Sequence, residues 1–101
     1  MAGRFTELIH RQLDLFEEQD AKFLERVEEA EQAYDRADRE DAEEVYGRYQ
    51  ELVEHGTEAL AEMRDAYAAT LDPDDAEEYV AEFNQTVIDR LPRFGLEIED
   101  V

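Results

Sequence analysis

Residues 5 to 37 read FTELIHRQLDLFEEQDAKFLERVEEAEQAYDRA, with apolar members at Phe5, Ile9, Leu13, Phe16, Phe23, Val27, Ala30, Tyr34 and Ala37. The steps alternate between three and four, with one place skipped at Asp20. That is the spacing of a heptad seam on a helix. Neither Gly nor Pro interrupts the run, so the spacing predicts one long helix, close to 50 Å at about 1.5 Å per residue.

Working outward, a second seam runs through Ala42, Val45, Tyr49, Leu52, Gly56, Ala59, Met63 and Ala66, widened on one side by Tyr46, Val53, Leu60 and Tyr67. Asp38 and Asp41 precede it, where carboxylates suit the free amides and the positive end of a helix. A reversal near Asp38 is therefore expected, although Arg36 to Glu43 contains no strong breaker and one unbroken helix is the alternative. The hairpin is favoured because so long an amphipathic stripe must be buried. Thr70-Leu71-Asp72-Pro73-Asp74-Asp75 is the clearest punctuation: Asp72 as N-cap and Pro73 in the first turn, where its missing amide costs nothing. A third helix is predicted there, carrying Ala76, Tyr79, Val80, Phe83, Val87 and Leu91 on one face and ending before Pro92. Phe94, Leu96 and Ile98 alternate with polar neighbours, so residues 92–101 are expected to form an extended tail.

The expected fold is all-α: a long antiparallel hairpin plus a shorter third helix, one three-helix bundle domain over residues 1–101. Equal rise in both arms places residues whose numbers sum to roughly 77 opposite one another. The third helix is too short to cover the outer end of the hairpin. Val27, Tyr34, Val45, Tyr46 and Tyr49 are thus expected to form an association face that pairs two chains as a homodimer. Asp20 falls opposite Gly56 and Thr57, which predicts a polar layer in the core. There the missing side chain of Gly56 admits a bulky neighbour such as Phe23, or water.

Composition limits the chemistry. The 101 residues carry 30 acidic and 10 basic side chains, a formal charge of −20, which leaves a duplex-binding surface or a polybasic membrane patch without cations. No nucleic-acid or membrane partner is expected. No Cys and no Ser are present, and the two His are separate, so nucleophilic catalysis and a thiolate metal site lack their parts. The chain is not expected to be an enzyme or to hold a cofactor. Glu7 and His10 share the Glu-x-x-His spacing of carboxylate metal bundles, but a helical wheel turns both away from the Ile9 and Phe16 face. Glu51 and His55 lie similarly off the seam and are expected to be a solvated pair. A carboxylate metal-binding bundle is the weaker alternative.

High charge and a mean hydropathy of −0.76 would by themselves favour disorder; the helical periodicity outweighs them. Of the ten cations only Lys22 is a lysine. This acid-rich, lysine-poor balance resembles that of haloarchaeal cytoplasmic proteins, a compositional resemblance that names no family. It implies a salt-adapted surface, because the Debye length falls to about 3 Å at 1 M salt and carboxylate repulsion falls with it. The expected function is that of a small cytoplasmic interaction or scaffold protein without catalytic chemistry. Alternatively, the acid clusters at Asp38, Glu40, Asp41, Glu43 and Glu44, and at Glu97, Glu99 and Asp100, mimic a nucleic-acid backbone or hold a basic protein partner.

Overall fold

The computed structural model describes residues 3–101, and among these the secondary structure is helical throughout, with no strand. Five α-helices follow one another: α1 Thr6–Gln19, α2 Ala21–Arg36, α3 Ala42–Ala68, α4 Pro73–Arg90 and the single turn α5 Pro92–Gly95, with a 3-10 turn at Ile98–Asp100.

The first seam is real but bent. The skipped place, Asp20, ends α1 and starts α2, with φ −106° and ψ 25°. The expected single rod is therefore two helices. An aspartate is a weak helix former in an interior position, and the bend leaves Asp20 half-buried rather than sealed in the seam. Chain reversal follows Arg36, where Asp38 accepts main-chain bonds from Asp41 and Ala42 at 3.0 and 2.8 Å. Cross-hairpin neighbours are Phe23 with His55, Tyr49 with Glu31 and Tyr34 with Tyr46. The register thus lies one to three places beyond the expected one. Pro73 opens α4 and Leu91 ends it. Asp41 and Asp72 occupy N-cap positions but make no side-chain capping bond, so Pro73 and the first-turn acids Asp74 and Asp75 mark that start instead.

The core gathers Phe5, Ile9, Leu13 and Phe16 from α1, Val27 from α2, Leu60 and Ala61 from α3, Tyr79, Phe83 and Val87 from α4, and Phe94 and Ile98 from the tail. Tyr79 is its hub, with ring centroids 5.5 Å from Phe5, 4.8 Å from Tyr67 and 5.9 Å from Phe83. Its hydroxyl donates to Gln12 Oε1 at 2.7 Å, which satisfies the polar end of an otherwise apolar side chain.

The tail corrects the extended reading. Phe94 and Ile98 are buried while Leu96 between them is 83% exposed. Two short helical turns, at Pro92–Gly95 and Ile98–Asp100, bring positions 94 and 98 to the same side, a helical spacing of four. Gly95 permits the return, because a Cβ there would lie 2.7 Å from the Ile88 main chain.

Candidate functional site

Thr57, Leu60, Ala61 and Arg64 form the buried stripe of the inner part of α3. Counted back at about 100° per residue, the same stripe continues through Val53 to Tyr46. Over Thr57 to Arg64 it lies under α4 and the tail. At Val53 it is half-buried, and at Tyr46 it is 44% exposed. No charged residue interrupts the ribbon of Tyr46, Tyr49, Gln50, Val53, Thr57, Leu60 and Ala61 in a chain that is 40% charged.

The five residues read as one association face divide three ways. Val27 is fully buried as part of the core and withdrawn from any outer surface. Val45 lines a groove of about 430 Å³ on one side of the α2–α3 hairpin with Ala30, Ala33, Leu52, Arg26, Glu29 and Arg48. Tyr46 and Tyr49 line a notch of about 120 Å³ on the opposite side with Gln50, Val53, Thr57 and Leu96 and the charged Glu54, Arg93 and Glu97. Tyr34 is 39% exposed and its ring lies 5.0 Å from that of Tyr46. The tail, expected to be extended, supplies one wall of the notch through Leu96.

Tyr49 is anchored rather than free. Its hydroxyl donates to Glu31 Oε2 at 3.0 Å, and the same oxygen accepts from Arg93 at 3.1 Å. Burial, followed by the hydrogen bond to Glu31, pushes the Tyr49 hydroxyl above its ordinary range. One carboxylate thereby ties α2, α3 and α5 together.

The expected polar layer is not assembled as read. Asp20 stands at the helix bend, and Thr57 donates its hydroxyl to Val53 O at 2.8 Å, within its own helix. Gly56 does admit a bulky ring, but it is Phe94 of the tail and not Phe23. Phe23 lies instead against His55, 5.3 Å between centroids, and both Glu51 and His55 are exposed. The buried polar centre is Arg64, 4% exposed, which donates to Asn84 Oδ1 and Ile98 O at 2.9 Å each and to Val101 O. It also meets Asp65 at 2.9 Å. The only sequence signal for Arg64 is its spacing, four after Leu60 and seven after Thr57. A charged residue on that stripe reads as a boundary of the core unless the tail's carbonyls are known to be there.

Glu7 and His10 are both exposed. Glu7 pairs with Arg11 at 3.0 Å, and the His10 ring lies 3.1 Å from Arg90 Nη1. Among the described residues no three His, Asp or Glu side chains converge as metal ligands. Six of the ten cations, Arg4, Arg11, Arg48, Arg64, Arg90 and Arg93, are engaged by carboxylates. The Asp75 carboxyl is held below its ordinary range by its hydrogen bond from Arg4. Asp38, Glu40, Asp41 and Glu43 at the hairpin tip, and Glu97, Glu99 and Asp100 in the tail, are exposed. No helix among the described residues is long and apolar enough to cross a membrane. Comparison with known family models, curated proteins and solved structures found no match.

Proposed function

We propose that this chain is a non-catalytic helical interaction module that works as a homodimer in a salt-adapted cytoplasm, pairing through the outer half of the α2–α3 hairpin. One observation carries the reading: the stripe of α3 from Ala61 to Tyr46 runs out from under its cover with no charged side chain in it, ending at the exposed Tyr46 beside Tyr34. A stripe of this kind is stabilised by a matching surface, and an isologous dimer supplies one from the same sequence. The molecule measures 51 × 25 × 24 Å, so the hairpin end that α4 does not reach is long enough to meet a second copy side by side.

Sedimentation equilibrium in about 1 M KCl, where the screening length is ~3 Å, tests this. Wild type should be dimeric at tens of micromolar, and Tyr46→Glu, which places a carboxylate in the interface, should weaken association by on the order of tenfold or more. A wild-type monomer across that range rejects the reading. The exposed acids at the tip and in the tail favour a second reading, capture of a basic protein. That reading requires the chain to keep its helical circular dichroism at low salt and to bind there, whereas a salt-adapted bundle loses helicity as KCl is withdrawn.

A further inference from the structure

We draw no further inference here: the strongest candidate, the notch on one side of the α2–α3 hairpin where Tyr46 and Leu96 stand exposed, carries Glu54, Arg93 and Glu97 among its uncharged side chains, and nothing in the structure shows what covers it.

Discussion

Gly47 and Gly56 lie on the same helix, α3, and the same substitution should act on them in opposite directions. In a helix interior, Gly→Ala gains about 1 kcal/mol from propensity alone. At Gly47 nothing stands within 4 Å of the added Cβ, so Gly47→Ala should stabilise the fold by roughly that amount. At Gly56 the new methyl would press on Cε1, Cζ and Cδ1 of the Phe94 ring, with Cζ 2.9 Å away. Phe94 is 1% exposed and stands edge-on to Phe16 at 6.2 Å, so the ring cannot turn aside without lifting α5 off α3. Overpacking of this kind costs about 1–3 kcal/mol. Gly56→Ala should therefore fall between roughly neutral and 2 kcal/mol destabilising, about 1–3 kcal/mol below its Gly47 counterpart. In a Phe94→Ala background the obstacle is gone, and Gly56→Ala should recover its stabilising sign. Urea denaturation followed by circular dichroism at fixed KCl measures all four variants. The difference corresponds to several degrees in Tm for a chain of this size, at about 4–8 °C per kcal/mol. Should Gly56→Ala stabilise wild type as much as Gly47→Ala does, Phe94 is not seated on Gly56 and the docking of the tail is wrong.

Arg64→Met keeps much of the side-chain length but leaves the carbonyls of Ile98 and Val101 and Asn84 Oδ1 without their donor. Part of the lost charge-assisted bonding is offset because no guanidinium then has to be desolvated, so the net cost should be about 1–3 kcal/mol. Hydrogen exchange should show protection lost first in residues 92–101, and unchanged protection there would contradict the clasp. Burial pushes the Tyr79 hydroxyl up to about 12, against an ordinary 10, so the folded state disfavours tyrosinate. That contribution, roughly 2–3 kcal/mol, is fully present below about pH 10 and is lost as pH rises toward 12. Ultraviolet titration of tyrosinate should show late-titrating tyrosines, Tyr49 among them, and Tyr79→Phe should lower the late amplitude by one tyrosine; an unchanged late amplitude in that variant would reassign the step.

What was legible in the sequence was what depends on local spacing. The seam from Phe5 follows from periodicity, the start at Pro73 from a residue with one strong backbone preference, and the reversal near Asp38 from the need to bury so long a stripe. The bend was visible as a gap at Asp20 but not as a bend, because periodicity records which positions are apolar and not whether the backbone between them stays straight. The tail misled because Phe94, Leu96 and Ile98 fit a strand's alternation, while positions 94 and 98 alone also fit a helical turn; only the presence of Gly56 and Arg64 beneath them selects the second. The association face was partly legible for the same reason. Tyr34 and Tyr46 are exposed where the third helix runs short, but Val27, Val45 and Tyr46 can be told apart only when the rotation of each helix is known.

The sequence by itself determined that this chain makes helices, where most of them start and stop, and that its surface is acidic almost everywhere. Those properties belong to single residues and to neighbours three or four apart. Only the tertiary structure decided that a charged arginine belongs in the core, that a glycine receives a phenylalanine from the far end of the chain, and that the two sides of one hairpin carry different surfaces. Each of these needs groups distant in sequence to meet, and their meeting depends on helix rotation, which one-dimensional spacing leaves free.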